Sequence, residues 1–156
     1  MSQSYPINYE EMFNNIKTLF NANPVHTYIG IKLTQLSLNE VRGKFNMKNE
    51  IVGNEAKQIL HGGLTSTVLD SVGGMMGIIS AVEKHKDEFD ENLRARLQHF
   101  GTISLHVDFL TPGRGEWFEV ISRTTKCTNR IAFVHSELIN DSGELIAISN
   151  NSYYYP

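Results

Sequence analysis

The run Leu60-His61-Gly62-Gly63-Leu64-Thr65-Ser66-Thr67-Val68-Leu69-Asp70 gathers the residues with the clearest chemical capacity. A loop ends at His61, two glycines allow close backbone approach, and an apolar helix opens there. The first amides of a helix have no partner within it and sit at the positive end of its dipole, so they favour an oxygen carrying negative charge. Asp70 then falls inside the apolar helix, where a buried carboxylate is costly unless it is used or paired. An oxyanion-binding helix start and a carboxylate together support attack on an acyl carbon. A merely paired, structural Asp70 is the plainer alternative, although acids buried in apolar helices are rare without a use.

Spacing constrains how these groups act. Gly63 and Asp70 are seven residues apart, so they share a helix face but lie about 10 Å apart along the axis. The lean of side chains toward the N-terminus recovers only part of that distance. Donors and nucleophile must each come within roughly 3 Å of the reacting atoms. One copy of the helix does not bring both groups to one substrate, whereas two helices lying antiparallel across a dimer interface do. A site shared between two copies is therefore expected.

The surrounding pattern supplies the elements that position this run. Met12, Phe13, Ile16, Leu19 and Phe20 recur at helical spacing behind Glu10 and Glu11, which predicts a helix over 9–20. Residues 29–47 read as a hairpin turning at Asn39-Glu40, and 48–60 as a polar loop containing Gly53 and Asn54. Residues 64–82 are the apolar helix, and 83–98 a charged helical extension. From Thr102 the period becomes two: Ile103, Leu105, Val107 and Phe109 alternate with Ser104, His106 and Asp108. Pro112-Gly113, Thr128-Asn129 and Asp141-Ser142-Gly143 then separate strands over 117–127, 131–139 and 145–155, which reads as an antiparallel meander. The expected fold class is α+β: one domain over 1–156, with a helical segment (1–24) ahead of a core (25–156). Five or six antiparallel strands should have one face covered by the long helix. Gly73, Gly74 and Gly77 each cost about 1 kcal/mol relative to Ala in a helix, so their cluster predicts close approach to a sheet or a second helix.

Composition narrows the function classes. The chain has 156 residues, 40% hydrophobic and 20% charged, as a globular protein does and a disordered one does not. A net charge of −3 argues against a dedicated nucleic-acid binder. The one cysteine, Cys127, excludes an internal disulfide and any multi-cysteine metal centre. No histidine spacing suggests a metal site, and Ser66 and Ser71 lie in no nucleophile elbow. His106 and Asp108 read as a solvated strand face rather than an acid–base pair. Residues 64–82 approach the length of a membrane span, but Asp70 at the centre would cost roughly 2.5–3.5 kcal/mol, so a helix inside the domain is expected. The start MSQSYPINYEEMF lacks the basic-then-apolar pattern of a secretory signal, which predicts a cytoplasmic protein.

The run HGGLTSTVLD, with GTISLHVDFLTPGRGE and the closing IND-SGELIA, resembles the hotdog-fold thioesterases of the PaaI-like family. The resemblance covers 25–155 and is strongest to a bacterial branch acting on medium- or long-chain acyl-CoA. It implies a sheet wrapped around a long central helix, a homodimer with a shared active site, and a dimer of dimers above it. It also implies hydrolysis of an acyl-CoA thioester to free acid and CoA, with CoA as part of the substrate and no cofactor or metal. Carried onto this sequence, Asp70 is the general base or the nucleophile, the Gly62 amide polarises the thioester carbonyl, and His61 shapes the turn. Asn54 would assist from upstream, although it stands seven residues before His61, where many relatives place the amide at six and this chain has Glu55. Thr102 matches a hydroxyl that orients water near the acid. Alternation puts Thr102 with His106 and Asp108, so only a bulge or twist would turn it toward Asp70. Arg114 and Arg130, in a basic group with Arg123 and Lys126, are solvated charges or contacts for CoA phosphates. Two other functions remain open: a non-catalytic acyl-CoA or lipid-binding hotdog domain, and a hotdog dehydratase or hydratase. The last needs a His/acid pair, and His61 at the turn is poorly placed for it, about 10 Å along the helix axis from Asp70.

Overall fold

The structure, a computed structural model, describes residues 6–88 and 91–156. The first five positions of the expected leader-free start, and positions 89 and 90 of the expected helical extension, lie outside the described residues.

Helix α1 (Tyr9–Ala22) begins where Asn8 accepts the Glu11 N–H at 3.2 Å, with Glu10 and Glu11 in its first turn. Asn23 ends it and caps a second helix, α2 (Pro24–Ile29), by accepting the Val25 N–H at 3.0 Å; Pro24 opens that helix and Gly30, at φ 85°, closes it. Helix α2 falls before and within the start of the expected 29–47 hairpin, which is shorter: β1 (Lys32–Leu36) and β2 (Val41–Asn46). The expected polar loop over 48–60 holds a 3-10 turn (Asn49–Ile51) and a small hairpin, β3 (Val52–Asn54) and β4 (Ile59–Leu60). The central helix α3 runs over Gly62–Lys84, and α4 (Glu91–Gln98) follows after a 3-10 turn at Lys86–Glu88, so the charged stretch breaks rather than extends α3. Strands β5 (Gly101–Phe109), β6 (Trp117–Cys127), β7 (Ile131–Asn140) and β8 (Leu145–Tyr154) complete the chain.

Six strands form one antiparallel sheet in the order β1-β2-β6-β7-β8-β5. The meander therefore covers only β6, β7 and β8. Strand β5 does not pair with β6 but crosses to the far edge beside β8. Pro112-Gly113 belongs to that crossover, anchored by Leu60 N–H to Gly113 O at 2.8 Å and Leu110 N–H to Ile146 O at 2.9 Å. Alternation identifies a strand without naming its neighbour, which is why the sequence alone suggested the simpler order.

The sheet curls around α3, the hotdog arrangement. Val68, Leu69, Val72, Met76 and Ile79 are buried against Val41, Phe45, Phe118, Val120 and Leu138. Among the described residues α3 is the one helix long and apolar enough to cross a membrane, and 67% of its apolar window is buried inside the domain. The glycine cluster meets the sheet and Phe100: a Cβ on Gly77 would lie 2.9 Å from Phe100 Cζ and 3.0 Å from Tyr153 Cδ2. One expectation fails in the single chain. The apolar row of β5 is only partly covered, for Leu105 is 38% and Phe109 56% exposed at the sheet edge.

Candidate active site

The start of α3 is held by three backbone hydrogen bonds: His61 N–H donates to Ile51 O at 2.9 Å, Leu60 N–H to Gly113 O at 2.8 Å, and Thr65 N–H to His61 O at 3.0 Å. A Cβ on Gly53 would sit 2.7 Å from His61 Cα, so glycine there lets the β3–β4 hairpin lie directly on the turn. The His61 ring caps the helix, its Nδ1 accepting the Gly63 N–H at 3.0 Å. The Gly63 amide is thereby taken. Gly62 N–H has no protein acceptor among the described residues and remains at the open, positive end of the helix, beside the Phe109 ring.

Asp70 lies two turns further along α3 and is half-buried, not fully buried as its apolar setting suggests. Thr102 Oγ1 donates to its Oδ1 at 2.8 Å. The β5–β8 register shifts between Thr102 and Ser104, with Thr102 opposite Tyr153 and Ser104 opposite Ser152. Ile103 is the extra residue of a bulge, and it turns Thr102 onto the face of Leu105 and Val107. The twist that strand parity demanded is thus present, and it brings Thr102 and Asp70 together.

The remaining expected site residues fall in other places. Asn54 ends β3 and its Oδ1 accepts the Lys57 N–H at 3.0 Å, so its carboxamide caps the hairpin turn. Arg114 reaches that same turn, Nε donating to Lys57 O at 3.3 Å, near the start of α3. Arg130 lies at the β6–β7 turn, where its carbonyl accepts the N–H of Tyr155 at 2.9 Å; Tyr155 packs in a cluster with Ala81, near the end of α3. Within one chain the two arginines therefore belong to opposite ends of the helix, and the basic group read from the sequence is split. Ser66 and Thr67 donate to the Gly62 and Gly63 carbonyls at 3.2 and 2.9 Å, as helix hydroxyls do. His106 and Asp108 meet at 3.3 Å on the outer sheet face, both well exposed. Burial pushes the Cys127 thiol above its usual range, away from thiolate chemistry.

The sequence pattern described as Thioesterase superfamily matches residues 57–147, from the β3–β4 turn into β8. The chain belongs to the thioesterase superfamily. This superfamily member is 34% identical, over 83% of its own length and 84% of theirs, to the medium/long-chain acyl-CoA thioesterase YigI of Salmonella typhimurium and of Escherichia coli. A Shewanella oneidensis protein related to the thioesterase superfamily superposes with a TM-score of 0.88 at 36% identity, covering 94% of this chain and 97% of that one. A thioesterase candidate from Syntrophus aciditrophicus does so with a TM-score of 0.83 at 31% identity, covering 96% and 99%. The superfamily's matched span includes His61, Gly62, Asp70 and Thr102 of this thioesterase-superfamily chain. Sequence reasoning missed two further residues beside Asp70, Asn151 and Tyr153, which contact α3 from β8. Their signal was available: they are the inward members of an alternating strand that otherwise carries small or apolar residues inward.

Proposed function

We propose that the protein is an acyl-CoA thioesterase in which Asp70 is the catalytic carboxylate. The carrying observation is the Thr102 hydroxyl on Asp70 Oδ1 at 2.8 Å, which fixes one carboxylate oxygen and leaves the other for water or substrate. Asp70 takes a proton from a water that attacks the thioester carbonyl, or attacks that carbon itself and is released by water. The Gly62 N–H donates to the oxygen as it gains charge. The C–S bond then breaks, the acyl group leaves as the free acid and CoA departs as a thiolate that takes up a proton. No step calls for a cofactor. A recess of about 330 Å³ beside Gly63, lined by Val25, Tyr28, Ile29, Ile51 and Leu64, suits an acyl chain, and similarity to YigI supports medium or long chains.

The working unit is a dimer. Gly62 and Asp70 are eight residues apart on one helix, about 12 Å along its axis. Strand β5 presents an unpaired edge and a partly covered apolar row, which a second copy of β5 would pair and cover. Two α3 helices then lie side by side, each offering Gly62 to the other's Asp70, and a dimer of dimers is the assembly above this.

The test is Asp70→Asn assayed against acyl-CoAs of short to long chain. A loss of about 10²-fold or more in kcat, with binding retained, is expected; unchanged hydrolysis overturns the mechanism. Wild-type protein that binds the panel without turnover would be a binding domain, and hydration of an enoyl-CoA without hydrolysis would mark a hydratase.

A further inference from the structure

We infer that Tyr153, backed by Asn151, is a positioning residue that holds the Asp70 segment of α3 in register with the Thr102 hydroxyl. The inference rests on the reading of Asp70 as the catalytic carboxylate. Beneath α3 the inward side chains of β8 are Ser149, Asn151 and Tyr153, all buried. Tyr153 Oη donates to the Asp70 backbone carbonyl at 2.8 Å. Asn151 Nδ2 donates to the Leu69 carbonyl at 3.3 Å and to Tyr153 Oη at 2.9 Å. Two successive carbonyls of a 23-residue helix thus accept side-chain hydrogen bonds from the sheet, and they belong to Asp70 and the residue before it.

Register makes the arrangement specific. Tyr153 is the cross-strand partner of Thr102. The donor to the Asp70 carboxylate and the donor to its backbone therefore come from one antiparallel pair, whose separation is set by the β-ladder and not by a loop. The helix is cut away to admit the tyrosine: a Cβ on Gly73 would lie 2.6 Å from Tyr153 Oη and 2.7 Å from Asn151 Nδ2. Phe100 stacks on the other side of the ring at 5.3 Å between centroids. Burial, then the nearby Asp70 charge, hold the Tyr153 phenol far above its usual pKa, so it stays a donor throughout the working range.

A buried tyrosine needs some acceptor, and the same contacts could serve stability alone. The neighbouring side chains argue otherwise. Asn151 turns its amide NH2 to α3 and leaves its Oδ1 unpartnered among the described residues, as Ser149 Oγ also is. A seam built only for stability would satisfy both. Held in this way, α3 cannot slide or turn by the roughly 1 Å that would part Asp70 from Thr102 and that costs a catalyst up to about 10²-fold.

Tyr153→Phe keeps the ring, its stacking on Phe100 and its seat at Gly73, and removes only the hydroxyl. The expected result is a kcat about tenfold lower with KM within about twofold. In a Thr102→Val background the same substitution should lower kcat less than about twofold further, because the contact it protects is already gone. Ser136→Ala is the control: it removes the 2.7 Å Ser122–Ser136 hydrogen bond of the same seam and should lower the melting temperature without lowering kcat. A Tyr153→Phe protein with wild-type kcat, an equal loss in both backgrounds, or an equal loss in Ser136→Ala overturns the proposal. Asn151→Ala removes the second donor and carries the same comparison if Tyr153→Phe does not fold. If Asp70→Asn stays active, the reading of Asp70 has failed; if Asp70→Asn is inactive and Tyr153→Phe is not impaired, only the positioning role has.

Discussion

At the scale of single residues, the Asp70 carboxylate accepts a hydrogen bond from the Thr102 hydroxyl at 2.8 Å. That bond orients the carboxylate, since hydrogen bonds to a charged acceptor are stronger than neutral ones. Thr102→Val keeps the side-chain shape and removes the donor. We expect kcat to fall about 10- to 100-fold with KM little changed, and Thr102→Ser to restore most of it. Steady-state kinetics on one good acyl-CoA decide this, and a fully active Thr102→Val would reduce Thr102 to packing. His61 acts differently, through the backbone: its ring nitrogen takes the Gly63 amide and so leaves the Gly62 amide as the donor at the helix start.

At the scale of elements, the α1–α2 corner shows how short helices are locked against the core. Asn23 ends one helix and caps the next, and the buried His26 ring stacks on Phe20 at 3.8 Å between centroids. Its Nδ1 bonds the Phe20 carbonyl at 2.8 Å, which in the neutral ring makes it the donor. Burial pushes the His26 pKa below the ordinary 6.5, with the Phe20 bond opposing in part. The folded state therefore favours neutral His26, while the unfolded chain protonates at about 6.5. The contribution is complete above that pH and is lost as the pH falls below it toward the folded-state value. Melting temperature should drop more steeply between about pH 7 and 5.5 in the wild type than in His26→Gln. Parallel curves in circular-dichroism melts would show that this histidine is not responsible.

At the scale of the molecule, an edge strand with an apolar row facing solvent is the feature a second copy explains. Leu105 lies on that row and is 38% exposed in the single chain, so a charge there disturbs little within one copy. Leu105→Lys should keep the circular-dichroism spectrum, shift light scattering to the monomer mass, and lower kcat/KM by about 10²-fold or more, as loss of one half of a shared site requires. A fully active monomer would place both the carboxylate and the oxyanion donor in one chain and remove the reason for sharing.

Local rules made much of this legible. Period-two alternation located β5 through β8, turn residues linked β6, β7 and β8 in order, and the glycine pair after His61 marked the start of α3. Within the candidate site, the spacing of His61, Gly62 and Asp70 follows from the helix they share, whatever surrounds it. The Asn23-Pro24 start and Gly30 stop of α2 are equally local signals. Non-local placement was not legible. The sheet neighbour of β5, the bulge at Ile103 that turns Thr102 inward, and the reach of Tyr153 and Asn151 to α3 each depend on how strands from distant parts of the chain wrap one helix. A shift of one residue in register reverses every side chain on a strand, and that choice is made by the packing of the whole sheet rather than by the strand's own residues. The sequence by itself determined which groups can do the chemistry, because residue type and helical spacing are properties of the chain; the tertiary structure decided which of them meet, because meeting is a property of packing.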